Sequence, residues 1–207
     1  MSSVKKDTRK KVSLMVQLAL LAALEVVLTL VYIPIGTINL NFGLVPIVVA
    51  AVLFGPGYGA LIGGVSGVVT MIQVLTGQSY FYVFLVSQNP VAASLLCVVK
   101  TATAGFLAGL VFILFEKFSK FKVVNVLAAS VVCPVVNTGI FALGMLTIFG
   151  KALMADEEIG TWTTGGLIAL VFVVLIGVNF FVELALNIVV CPAISKALFA
   201  VKRARRG

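Results

Sequence analysis

The stretch VNFFVELALNIVV, residues 178–190, is apolar except at Asn179, Glu183 and Asn187. Those three recur every four residues, so a helix sets them along one face. A helix wrapped only in lipid has no use for a carboxylate and two amides on one side, whereas a helix facing its neighbours does. Read this way, the stretch is a membrane helix with an inward polar stripe, and that reading decides the fold class.

Composition agrees. Of 207 residues, 61% are hydrophobic and 11% charged, against about 25% charged in a soluble domain. The expectation is an all-α integral membrane protein in which residues 1–207 form a single membrane domain. The first apolar run, about 12–33, is longer than a signal-peptide core and lacks a small-residue cleavage site, so it should remain as a helix. The net charge of +8 would point to nucleic acid on a soluble face, but here the basic residues flank apolar runs and report topology. Cys97, Cys133 and Cys191 lie in apolar runs without CxxC spacing and read as packing residues.

At about 20 residues per crossing, six transmembrane helices are expected, at about 12–33, 43–56, 58–76, 90–115, 123–149 and 166–194. Lys5, Lys6, Arg9, Lys10 and Lys11 precede the first, and Lys117, Lys120 and Lys122 fall between the fourth and fifth. Lys196, Lys202, Arg203, Arg205 and Arg206 follow the last. Six crossings put all three groups on one side, opposite Lys151, Asp156, Glu157 and Glu158, so both termini are expected in the cytoplasm. The outer connections are then 34–41, 77–90 and the acidic loop with Trp162. The second, GQSYFYVFLVSQNP, is too aromatic for a free loop and should fold back onto the bundle or sit at the interface.

Several chemistries are excluded by what the chain lacks. GVSG (64–67) matches the serine loop of rhomboid-type intramembrane proteases, but the sequence has no histidine to take the serine proton. HExxH zinc sites fail on the same ground. No Walker-type loop appears, so the chain is not an ATPase; no enzyme activity, metal or cofactor is expected. Gly55, Gly59, Gly63 and Gly67, with Gly105 and Gly109, form small-xxx-small faces suited to close helix packing. Ala19 and Ala23 offer a similar face in the first helix, open to a partner helix.

What remains is the buried polar set, Glu25, Lys100 and Glu183. Lys100 lies about 15 Å along its helix from Pro90, and Glu183 about 13 Å before Pro192, so the two could meet near mid-membrane. One reading is an ion pair of Lys100 with Glu183 or Glu25 that only fixes packing. The other has Lys100 holding a ligand carboxylate while Asn89, Asn137 and Asn179 donate to its carbonyl or hydroxyl groups. Gln73 and Thr70 are further candidates. The three charges sum to minus one, which argues against a strongly anion-selective pocket unless one glutamate is protonated or faces water. Asn187, nearer the cytoplasm, should bond across helices.

The layout resembles the substrate-binding (S) components of energy-coupling factor (ECF) transporters, the prokaryotic vitamin importers. Four stretches carry the likeness across nearly the whole chain. They are a basic N-terminus leading into ALLAAL, with Ala19 and Ala23 in an AxxxA-like position; VLFGPGYGALIGGVSG; NPVAASLLCVVKTATAGFLAGLVF; and PVVNTGIFALGMLTIFG followed by NFFVELALNIVVCPAISKAL. The pattern looks most like the pantothenate-specific type, although Lys100 stands where that type leads one to expect Arg, and further from the Asn-Pro.

The resemblance implies an S-component-like bundle in a prokaryotic plasma membrane that captures a water-soluble vitamin from outside. Its pocket would be formed by Asn89, Lys100, Asn137, Asn179, Glu183 and Gln73, with Trp162 as a lid. An ECF transmembrane subunit would grip the Ala19/Ala23 face, two cytoplasmic ATPases would supply the work, and the S component would topple to release its guest inside. Riboflavin, folate, cobalamin and nicotinate types share the fold, so fold does not choose among them. A non-transporting membrane scaffold and a membrane enzyme stand as readings from other classes.

Overall fold

The computed structural model describes residues 2–35, 38–162 and 164–204. Helix α1 (Ser2–Leu30) leads into a two-stranded antiparallel hairpin, β1 (Tyr32–Ile35) and β2 (Ile38–Asn41). Then come α2 (Leu44–Phe54), α3 (Pro56–Leu75), α4 (Tyr80–Gln88), α5 (Pro90–Phe118) and α6 (Lys122–Thr147). Three short helices, α7 (Gly150–Ala155), α8 (Glu157–Gly160) and α9 (Gly166–Ala169), lead into a π-helical turn over Leu170–Ile176 and the long α10 (Gly177–Ala204).

Five helical stretches among the described residues are long and apolar enough to cross a membrane: Lys11–Leu30, Pro56–Leu75, Pro90–Phe118, Lys122–Thr147 and Gly166–Ala200. The expected second span, 43–56, is the exception. Its helix has 11 residues, about 16 Å at helical rise, roughly half of a bilayer core. Every residue from Leu44 to Val52 is buried, so α2 is the centre of the bundle and not a lipid-facing crossing. The first expected span also ends early, because Tyr32 and Ile33 belong to β1.

Local signals explain the boundaries. Gly55 takes φ +105°, a conformation L side chains rarely adopt, and Pro56 then opens α3, so the chain reverses in one residue. Ser79 caps α4 by accepting from the Tyr82 amide at 3.3 Å. Asn89 ends α4 and caps α5, its side-chain oxygen accepting from the Ala92 amide at 3.0 Å, with Pro90 at the first helical position where its missing N–H costs nothing.

The glycine faces lock α3 against α5 in antiparallel fashion. A Cβ on Gly59 would strike the Gly105 carbonyl, one on Gly63 the Thr101 carbonyl, and one on Gly67 the Cα of Val98. On the other side, a Cβ on Gly109 would strike Pro56. Backbone meets backbone along three turns, the close approach that small residues permit. Gln73 ties α1 to the same helix, its Nε2 donating to the Thr29 carbonyl at 3.1 Å.

Two apolar clusters result. One surrounds α2 with Ile62, Ala104, Ala108, Phe112, Val126, Ala129, Cys133 and Cys191. The other joins Val74, Phe81, Phe84, Leu85, Ala93 and Cys97 to Ala142, Met145, Phe149, Leu153, Ile159, Leu175 and Ile176. The exterior is apolar too: Met15, Leu20, Val91, Val173 and Phe181 are all more than half exposed, as lipid contact requires. Lys11, Lys117, Lys120, Lys122 and Lys196 are exposed at the end of the bundle where α1 begins and α10 finishes. There the Lys122 ammonium lies 4.9 Å from the Phe199 ring centre.

The α3–α5 contact yields a paired test. Gly63→Val drives a side chain into fixed backbone and should lower the apparent melting temperature of the detergent-solubilised protein by several degrees, a cost of roughly 1–3 kcal/mol or more. Gly64, one residue away, has nothing within 4 Å of a built Cβ, and Gly64→Val should melt near the wild type.

Candidate functional site

A cavity of about 90 Å³, several times the roughly 10–15 Å³ that one water needs, opens where the two clusters meet. Its position follows from where polar residues interrupt three helices. On α5, Lys100 and Thr101 lie between Cys97 of one cluster and Ala104 of the other. On α6, Asn137 and Thr138 fall between Cys133 and Ala142, and on α10 Asn179 and Glu183 fall between Ile176 and Cys191. All six line the cavity, together with Ser66 and Thr70 of α3.

The opposite wall is aromatic and aliphatic: Phe81, Tyr82 and Leu85 from α4, Phe141 from α6, Leu175 and Ile176 from the π-helical turn, and Phe180. The expectation that 77–90 folds back onto the bundle is met in a specific form, a nine-residue helix whose Phe81, Phe84 and Leu85 are buried. The π-helical turn widens α10's path just before Asn179, a distortion frequent at functional sites.

Lys100 lies 5.4 Å from the centre of the Phe141 ring. Among the described residues, neither buried carboxylate is hydrogen-bonded to it. Glu183 Oε1 accepts from Asn179 Nδ2 at 3.2 Å, and its Oε2 has no partner. Glu25, fully buried on α1, accepts from the Thr29 hydroxyl at 2.7 Å through Oε1, while Oε2 is unpartnered; it does not line the cavity. Asn137 Oδ1 and Asn179 Oδ1 are buried without a partner as well.

Four of the seven expected pocket residues, Lys100, Asn137, Asn179 and Glu183, thus converge on one cavity, and three do not. Asn89 is exposed and committed to capping α5. Gln73 is turned toward α1, where it holds the Thr29 carbonyl. Trp162 stands one layer back, its ring 6.5 Å from Tyr80 and from Phe81, and Phe81 is the one that lines the cavity. The Tyr80 hydroxyl donates to Asp156 at 3.2 Å, so the acidic loop is fastened over α4. Asn187 bonds within its own helix, donating to the Glu183 carbonyl at 2.8 Å and accepting from Cys191 at 3.4 Å. Ala19 and Ala23 are exposed on α1.

Thr101 and Thr138 each follow a residue already singled out, Lys100 and Asn137, and adjacency along the sequence was the available signal. Ser66, Phe141 and Phe180 gave none, since a serine or phenylalanine in an apolar helix is ordinary packing.

Among the described residues the Lys100 ammonium is hydrogen-bonded to no carboxylate, and its contact with the Phe141 ring is a small contribution to the fold. Lys100→Met should therefore leave the apparent melting temperature within roughly 3 °C of wild type. Breaking a buried ion pair would cost about 3–5 kcal/mol, and a fall on that scale would restore the ion-pair reading.

Residues 13–195 match the family described as "ECF transporter, substrate-specific component". Among curated proteins no match was found. A match over that much of the chain agrees with an apolar helical bundle enclosing a polar-lined cavity: the protein belongs to the substrate-specific components of ECF transporters.

Proposed function

We propose that this subunit captures a small water-soluble vitamin, with pantothenate the favoured guest, from the outer side of a prokaryotic plasma membrane. The observation that carries the reading is the convergence of Lys100, Asn137, Asn179 and Glu183 from three helices on one cavity. In this reading the Lys100 ammonium, hydrogen-bonded to no carboxylate among the described residues, holds the guest's carboxylate, and the amides meet its polar groups. The aromatic wall of α4, Phe141 and Phe180 takes the apolar part. A cavity that pairs apolar walls with a few convergent polar groups is the usual form of a small-molecule site.

Orientation follows from charge. The exposed lysines Lys11, Lys117, Lys120, Lys122 and Lys196 gather at the end where α1 starts and α10 finishes, which the positive-inside rule assigns to the cytoplasm. The α2 helix descends only part way before α3 returns, and counting this excursion as two passes gives the six-pass topology with both termini inside. The cavity then lies toward the outer face, beneath α4 and the acidic loop. Trp162 and the Tyr80–Asp156 bond would steady that cover, and Asn89 would position α5 by capping it.

On the outside of the bundle, the exposed Ala19/Ala23 face of α1 is where a membrane-embedded coupling subunit would grip, with two cytoplasmic ATPases supplying the work. The chain itself would topple in the bilayer to release its guest.

Mass spectrometry of what leaves the purified protein on denaturation is the direct test, and a stoichiometric vitamin is expected. Titration with pantothenate should show Lys100→Met weakening binding roughly 10–100-fold, the loss of one charge-assisted hydrogen bond. Unchanged affinity would remove Lys100 from the site. For topology, a reporter active only in the cytoplasm should work when fused after Gly207 and stay silent when inserted beside Met154; the reverse pattern would invert the proposed orientation.

A further inference from the structure

Helix α5 is longer than a hydrocarbon core requires. Its 29 residues run about 44 Å at helical rise, against roughly 30 Å of hydrocarbon and about 40–45 Å of bilayer with its headgroups. With Pro90 at one surface, the turn joining α5 to α6 lies in the headgroup layer of the other. That turn carries the two most exposed large hydrophobic side chains among the described residues, Phe118 at 82% and Phe121 at 75%. Lys117, Lys120 and Lys122 are interleaved with them, and all three are exposed. The Lys122 ammonium lies 4.9 Å from the Phe199 ring centre. Exposed Lys196 stands three residues before Phe199 on the same face of α10, which adds a fourth cation. Glu116 is the one acidic residue adjoining these four lysines in the sequence.

The backbone of the turn is tied down. The Ser119 amide donates to the Phe115 carbonyl at 2.8 Å, and the Phe121 amide donates to the Ser119 hydroxyl oxygen at 3.2 Å. Buried Asn125 holds the Ser119 carbonyl through its Nδ2 at 3.3 Å. A fixed backbone thus carries both rings outward, and a topology signal, which needs only the lysines, has no use for them. We infer that this turn, with Lys196, is a binding surface for anionic phospholipids: the rings enter the bilayer between headgroups while the ammonium groups hold phosphates. A cluster of four basic residues beside a membrane helix attracts anionic lipid. Phenylalanine and lysine on one short segment divide between the acyl boundary and the headgroups, as in interfacial helices, and the lysine stems lie along apolar surface with their charge at phosphate level. A protein occupant fits less well, because an interface core is depleted of charge and here lysines stand beside both rings. The inference is independent of the cavity and its guest, and it holds whichever leaflet the turn faces.

Native mass spectrometry of the full-length protein in detergent, titrated with phosphatidylglycerol or with phosphatidylcholine of the same acyl chains, tests this. The wild type should bind phosphatidylglycerol about tenfold more tightly. The triple variant Lys117→Gln/Lys120→Gln/Lys122→Gln should lose most of that preference through weaker phosphatidylglycerol binding, with phosphatidylcholine little changed. Phe118→Ser/Phe121→Ser should instead weaken both lipids by a similar factor, roughly three- to tenfold, because it removes buried apolar area and no charge. All five side chains are exposed, so both variants should melt near the wild type. Lys5→Gln/Lys6→Gln/Lys10→Gln removes the same charge elsewhere and should keep most of the preference.

Equal wild-type affinity for the two lipids overturns the inference. So does an equal loss of preference in the two lysine triples, which would reduce the effect to net charge. If the serine double variant binds both lipids as tightly as the wild type, the rings do not enter the bilayer and the inference fails there. Turn variants that bind lipid normally but no longer assemble with the transporter's other subunits would make the turn a protein contact, which overturns it as well. A preference lost only with the turn's lysines, together with an affinity set by its rings, supports it.

Discussion

A helix surrounded by hydrocarbon has no water to satisfy its polar side chains, so a carboxylate, an ammonium and several amides at similar depth must find partners inside the bundle. This chain does not let them saturate one another. Lys100, Asn137, Asn179 and Glu183 form a polar band between two apolar clusters, and at least three oxygens in that band are unpartnered. The band is where the packing stops and the cavity begins. A purely structural network would close on itself, because a half-satisfied buried network is worse than an apolar core.

The cavity depends on tight packing elsewhere. The glycine contact between α3 and α5 brings two backbones together, and α2 fills the centre of the bundle below with nine consecutive buried residues. Together they make a dense half on which the looser half can stand. In that half the wall is completed by α4, which is too short to cross a membrane and aromatic enough to bury its inner face. The acidic loop is tied over it through Tyr80, Asp156 and Trp162. A rigid floor and a separately fastened cover suit a subunit that must hold a guest and later let it go.

By contrast, α1 is held lightly. Across its described side chains most residues face outward, and only 11% of its most apolar 18-residue window is buried. Its inward groups are few: Glu25 and Thr29 are bonded to each other, with Gln73 reaching across from α3. The large outward face, with Ala19 and Ala23 in it, is consistent with a helix that has business outside its own bundle, as expected in a family whose members work within larger transporters.

The apolar composition, the lengths of the crossings and the four-residue spacing of Asn179, Glu183 and Asn187 are properties of single helices, and all were legible in the sequence. So was the glycine repeat, since period four on a helix is a face whatever it meets. The placement of Lys100 and Glu183 at matching depth followed from counting residues at constant rise. What counting along one helix does not reveal is rotation about its axis and identity of neighbours, and these sorted the candidates. Asn89 and Gln73 are as polar as Asn137, but one was taken by a helix cap and the other by a carbonyl of α1. The half-length α2 looked like a crossing because burial in protein and burial in lipid select the same residues. Whether Lys100 found a carboxylate or stood free beside Phe141 was decided only when three helices and α4 packed together, because a side chain's partner is set by tertiary contact and not by its own segment.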